Sequence, residues 1–190
     1  GSYSSDVQQS VWSVRRNSVS GNIKGIFYGV STGPGDPELM TVKAVRILKK
    51  ADSIVAARVM GKQETALKIA KQAVGLDDKE ILSLPFSMSG KRKAEKKEHE
   101  NSIRQIEALL ETGKNVAMPV LGDVSVYATW QYLAEEIQAD GYQTVMIPGV
   151  TSFCAAAAAA NTGLTQRDLP LHIVPASYGN LEKQMQPESL

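Results

Sequence analysis

The stretch IFYGVSTGPGDPELMTVKAVRILKKADSIVAA, residues 26–57, holds a strand, a glycine-rich turn, a helix and a second strand in succession. Ile26, Phe27, Tyr28, Gly29 and Val30 make a short apolar run of the kind that forms a buried strand. Ser31-Thr32-Gly33-Pro34-Gly35 follows as a loop. Asp36 suits a helix N-cap, Pro37 the first helical position and Glu38 the first turn. Leu39, Val42, Val45 and Leu48 recur at helical spacing and are expected to face the core. Residues 53–57 are apolar again and predict the second strand.

The alternation continues outward. A helix is expected over residues 63–74 with Gly75 as its stop, then a strand over 80–84 ended by Pro85. Residues 91–111 read as a long charged helix whose apolar face comes late, at Ile103, Ile106, Leu109 and Leu110. Gly113 ends it. A strand at 116–120, a helix at 127–139, a strand at 144–147, an alanine-rich helix at 152–161 and a last strand at 171–174 complete the pattern. Strand and helix in repeated alternation predict an α/β fold, a mainly parallel sheet flanked by helices. Residues 1–24 read apart from the rest, without sustained period. Their Gly-Ser start resembles a cloning scar, so they are a tag or a flexible arm. Residues 25–147 then form an N-terminal α/β domain. Residues 148–190 begin a C-terminal α/β domain, which is expected to be truncated because the chain stops soon after its last strand.

Bulk properties narrow the function. A formal net charge of +1 offers no basic surface for nucleic acid. No stretch approaches the ~20 apolar residues that span a bilayer, and the N-terminus lacks the apolar segment of a signal peptide. The simplest address is the cytoplasm. The lone Cys154 excludes an intramolecular disulfide and multi-cysteine metal sites. His99 and His172 lie too far apart, with no carboxylate cluster at ligand spacing, to suggest a metal. Cys154 itself is expected as an inert buried thiol in a closely packed helix. Trp130, Tyr132 and Leu133 read as core or interface residues.

In open α/β sheets, ligands bind beyond the carboxyl ends of the strands. Residues 29–37, 121–126 and 148–153 are loops in that position, and 175–178 are a possible fourth. Their glycines let a ligand approach the backbone, and the N–H groups opening the next helix offer donors. The first loop is equally well read as a tight, capped strand-to-helix turn. It is no dinucleotide fingerprint: Gly29, Gly33 and Gly35 do not follow G-x-G-x-x-G, and the second strand runs into Arg58 where an acid would serve a ribose. A Walker-type phosphate loop is absent as well.

Taken together, GVSTGPGDPELMTVKAVRILKKADSIV, LGDVSVYATWQYL and IPGVTSFCAAAAA resemble the tetrapyrrole methylases, the class III S-adenosylmethionine-dependent methyltransferases. Within them the pattern is closest to the enzymes that methylate C20 of precorrin-2 or cobalt-factor II. The likeness runs from about residue 24 to 178. It implies S-adenosyl-L-methionine folded between two α/β domains, a small-molecule tetrapyrrole substrate and a homodimer. It further implies that Pro34 lines the cofactor cleft, and that Leu121, Gly122 and Asp123 meet the amino-acid end with Val126 packing beside them. Thr151 and Ser152 would touch the cofactor from the third loop, and Ala176 would neighbour the adenine. Val124 departs from the family's usual proline, which loosens the loop and leaves one extra N–H to satisfy.

Methyl transfer to a conjugated ring carbon asks the protein for orientation and a water-poor pocket. Asp36 is the first-loop acid that could touch substrate or orient a proton acceptor, or it is simply the N-cap. Tyr127 could hydrogen-bond cofactor or substrate, or be a buried aromatic at a helix start. Lys91, Arg92, Lys93, Lys96 and Lys97 could grip substrate carboxylates, or line a solvated helix face. Arg58 is the best-placed single base for those carboxylates. Competing readings are a methylase of the same fold acting on another tetrapyrrole position, a truncated or inactive fold member, and a nucleotide-binding oxidoreductase.

Overall fold

Each of the first five strand expectations forms: β1 (Ile26–Ser31), β2 (Ser53–Arg58), β3 (Glu80–Pro85), β4 (Val116–Val120) and β5 (Gln143–Ile147). Between and after them lie α1 (Val42–Lys50), α2 (Thr65–Val74), α3 (Arg92–Glu111), α4 (Thr129–Ala139) and α5 (Ser152–Ala159). The structure, a computed structural model, describes residues 23–58, 64–85 and 92–174. These fall into two compact units, one ending at Val150 and the other starting at Thr151. The expected arm at 1–24 lies almost wholly outside the described residues.

The sheet of the first unit has the order β3-β2-β4-β1-β5, and every pairing is parallel. Alternate residues of each strand feed opposite faces. Phe27, Val55, Val116 and Met118 join Ile103, Ile106 and Leu110 of α3 and Trp130, Leu133 and Ile137 of α4 on one face. Val30, Ile54, Ala56 and Ala117 join Ala44 and Leu48 of α1 and Leu67, Ile69 and Ala70 of α2 on the other. A sheet covered on both sides needs strands that are apolar nearly throughout, and these are. Gly29 makes room for the indole: a Cβ there would lie 2.5 Å from the Trp130 ring. Phe27 packs beside that ring with centroids 5.6 Å apart.

Pro119 stands in the central strand β4, where proline is rare because it cannot donate to the ladder. The geometry accommodates it. The Asn115 carbonyl accepts from Ser53 of β2, whereas the Val120 carbonyl accepts from Thr32 just past β1. Odd-numbered residues of β4 therefore face β2, so the missing N–H of Pro119 lies on that side. Pairing of β2 with β4 stops at Ile54 with Ala117, while β2 continues beside β3 as far as Arg58.

Several expectations are corrected. The helix expected from Asp36 is two elements. Asp36 caps only a 3-10 turn, Pro37–Leu39, and Thr41 starts α1 afresh by accepting from the Ala44 N–H at 3.1 Å. The interruption shifts the helical phase, so Val42 is 86% exposed, Val45 is half-buried, and Met40, Ala44 and Leu48 fill the core. Tyr127 does not begin α4, because its φ of 50° is left-handed. Residues 171–174 form no strand. Helix α5 buries none of its residues and Cys154 is exposed: among the described residues of its unit no strand forms a sheet for it to pack on. Trp130 and Leu133 are core, as expected, and Tyr132 is exposed, outside the core.

Candidate functional site

The strand order creates a switch point. From β1 the chain crosses to β2 on one side, and from β4 it crosses past β1 to β5 on the other. The loops leaving the carboxyl ends of β1 and β4 diverge there, which is where open sheets hold ligands.

Short bonds tie these loops together. Gly33 and Gly122 form an isolated antiparallel bridge, with N–H to carbonyl distances of 3.2 and 2.8 Å. Both have left-handed φ, 72° and 71°, a backbone region that glycine enters without strain. The Thr32 N–H donates to the Val120 carbonyl at 2.8 Å, and its hydroxyl donates to the same oxygen at 3.1 Å. The turn after β5 joins them: the Gly149 N–H donates to Asp123 Oδ2 at 2.7 Å, and the Thr41 hydroxyl reaches the Pro148 carbonyl at 3.4 Å. The first two loops and the start of the third therefore meet at one edge of the first unit.

Asp123 is buried, and burial alone would push its carboxyl upward. Hydrogen bonds from the Ser125 hydroxyl, the Gly149 N–H and the Ser125 N–H outweigh that, holding it below the ordinary carboxylate value. Its charge is spent on fixing two loops. Val124 raised the question of an extra amide. That N–H donates to Ser31 Oγ at 2.9 Å, and the residue is 1% exposed.

The remaining sequence candidates are distributed as follows. Pro34 is half-buried just after the Gly33 bridge, Leu121 is 50% exposed, and Val126 is half-buried with its N–H on the Asp123 carbonyl at 3.1 Å. Tyr127 is exposed, not buried, in the left-handed region that bulky residues enter only under strain. Asp36 is exposed, and its Oδ1 accepts from the Glu38 N–H at 2.9 Å. Arg58 ends β2 opposite Pro85, separated from β1 by β4. In the second unit, Thr151 is the N-cap residue of α5, yet its side chain makes no capping bond and its Oγ1 is buried without a partner. Ser152 opens α5 and is exposed. Ala176 and the side chains of Lys91, Arg92, Lys93, Lys96 and Lys97 lie outside the described residues. No group of three or more His, Cys, Asp or Glu among the described residues could hold a metal. Ser31, which the sequence does not single out, is fully buried and bonds to Val124 and Ile147 at this junction.

Comparison with known proteins gives a consistent picture. The family model of the Tetrapyrrole (Corrin/Porphyrin) Methylases matches residues 27–188. The cobalt-precorrin-2 C(20)-methyltransferase of Salmonella typhimurium is 38% identical over 162 residues, covering 84% of this chain and 67% of that protein. The precorrin-2 C(20)-methyltransferase of a Sinorhizobium species is 28% identical, covering 86% and 69%. Among solved structures, a cobalt precorrin-4 methyltransferase superposes with a TM-score of 0.55 at 31% identity, covering 77% of this chain and 55% of the other. The chain spans about two thirds of the length of these two curated relatives.

Proposed function

Because the chain belongs to the tetrapyrrole (corrin/porphyrin) methylases, we propose that it methylates C20 of precorrin-2 or cobalt-factor II with S-adenosyl-L-methionine, in cobalamin biosynthesis. The observation that carries this reading is the fastening of the β1 and β4 loops to the turn at Gly149 on the switch-point edge. The residues present fit such a cofactor. Gly122 has open space where a side chain would stand, so a ligand can lie against its backbone, and the Thr151 hydroxyl is a donor without a partner. In the first unit, Pro34, Leu121, Gly122 and Val126 would hold the cofactor, with Asp123 fixing their backbone. In the second, Thr151 and Ser152 are the candidates, as is Ala176.

When bound, the cofactor supplies a methyl group on a sulfonium, and the ring carbon of the substrate supplies the nucleophile. The protein's task is to set distance and angle and to keep water away, which accounts for several kcal/mol of a typical barrier. Exposed Tyr127 and Arg58 are the proposed substrate contacts, Arg58 toward a ring carboxylate, and Asp36 the acid nearest the first loop. No helix among the described residues is long and apolar enough to cross a membrane. A cytoplasmic homodimer completes the proposal.

The test is incubation with methyl-labelled donor and each tetrapyrrole, followed by NMR location of the new methyl group. Transfer to C20 is expected. Transfer elsewhere moves the substrate assignment within the family, and absence of both transfer and S-adenosylhomocysteine binding overturns the reading.

A further inference from the structure

Ser31 closes β1 and is completely buried. A hydroxyl has one proton to give and lone pairs to receive, and here both are used. Ser31 Oγ donates to the Ile147 carbonyl at the end of β5 at 2.7 Å. It accepts from the Val124 N–H in the loop after β4 at 2.9 Å. Its Cβ is also the surface on which Gly149 sits, since a Cβ on that glycine would stand 2.3 Å away. One small side chain at the end of β1 thus touches both the turn after β4 and the turn after β5.

From the β1 side the loop after β4 is held by the Gly33 bridge at Gly122 and by Ser31 at Val124, and from α4 by Gln131, whose Nε2 donates to the Val124 carbonyl at 2.9 Å. Asp123 lies between these anchors and reaches Gly149. We propose that Ser31 is a positioning residue for the cofactor-binding loops. Its hydroxyl sets the height of the 121–126 turn relative to the 148–150 turn, and so the geometry in which the Gly122 backbone meets a ligand. This rests on the function proposed above. Ser31 itself is enclosed, so it acts through Val124 and Ile147 and does not touch substrate.

The relation predicts a specific rescue. In S31A the Val124 N–H becomes a buried donor with no acceptor. Proline at 124 has no N–H to satisfy, so V124P removes the donor that Ser31 serves in this loop and leaves only its bond to Ile147. Wild type, S31A, V124P and S31A/V124P are compared by calorimetric titration with S-adenosylhomocysteine, at a temperature where each is folded by circular dichroism. S31A is expected to bind about tenfold more weakly, and S31A/V124P to recover most of that loss. A merely structural serine would lower the melting temperature without changing the affinity of the folded protein.

If wild type binds and S31A binds equally well, the role of Ser31 falls and the function stands. If the double variant loses the product of the two single losses, the link through Val124 falls. If wild type itself takes up no S-adenosylhomocysteine, the proposed function falls and the positioning role with it. Should S31A fail to fold, V124P and S31A/V124P decide: affinities within about threefold of each other support the relation, and a tenfold gap overturns it.

Discussion

Gly149 rests against Ser31 so closely that a methyl group on the glycine would stand 2.3 Å from the serine Cβ and 3.0 Å from the Gly122 carbonyl oxygen. A contact of 2.3 Å does not survive, the one at 3.0 Å is tight, and neither atom is the free end of a flexible chain. Gly149→Ala must therefore push the turn after β5 away from Asp123. A loss of about 1–3 kcal/mol in urea unfolding is expected for such overpacking, together with loss of S-adenosylhomocysteine binding. Full binding by this variant would show that the turn can move without consequence.

Asp123→Asn tests the other side of the same junction. An amide can accept on one atom only, so either the Gly149 or the Ser125 N–H loses its partner. Both donors are part-buried, so the cost of leaving one unsatisfied is about 1 kcal/mol, the low end for a lost hydrogen bond. The native carboxyl titrates below its ordinary value, so its contribution is present above the unfolded value and lost as pH falls through the folded one. Acid unfolding curves should accordingly be shallower for the variant than for wild type.

Glu107 and Asp140 predict the opposite slope. Glu107 Oε1 is buried without a hydrogen-bond partner. Burial first, and Asp140 second, raise its carboxyl above the ordinary value, with Glu136 adding to this and Lys24 opposing it. Two ionised carboxylates cannot bond to each other, but a protonated Glu107 can donate to Asp140. A raised folded value means that the stabilisation is full below the unfolded value and fades as pH rises through the folded one. Glu107→Gln carries a permanent donor and should be more stable than wild type at neutral pH, with the difference vanishing in acid. Equal urea midpoints at both pH values would remove this pair as a pH-sensitive element.

Tyr127 holds a left-handed backbone with its ring 65% exposed. Such a conformation costs a non-glycine residue about 1–2 kcal/mol, and glycine returns about 0.5–1 kcal/mol of that as chain entropy. Tyr127→Gly should be as stable as wild type or slightly more so. If the ring meets substrate as proposed, its methyl transfer rate should fall all the same. Unchanged activity in that variant would leave the strained ring without a catalytic use.

The strands were legible because each is a short, almost uninterrupted apolar run, which a sheet buried on both faces demands. The glycine turns were legible from composition. What escaped was set by partners distant in the chain. Ser31 bonds to residues 93 and 116 positions away, and no local pattern announces that. Thr41 restarts the helix because its side chain caps α1, a choice that periodicity at Leu39, Val42 and Val45 concealed. Cys154 and its alanine neighbours look like packed helix, yet composition cannot say what surface lies opposite. The bonds that Asp123 makes to Gly149 and Ser125 likewise leave no mark in the sequence.

The strand order carries a consequence for how the molecule comes into being. Strand β1 is made first, but its two neighbours in the sheet are β4 and β5. Until residues near Gly122 have left the ribosome, the first glycine turn has nothing to lean on, and the amides it will later share face water. Pairings at such sequence separation are slow to close. Refolding kinetics should therefore show the switch-point edge acquiring hydrogen-exchange protection after the β2–β3 half of the sheet.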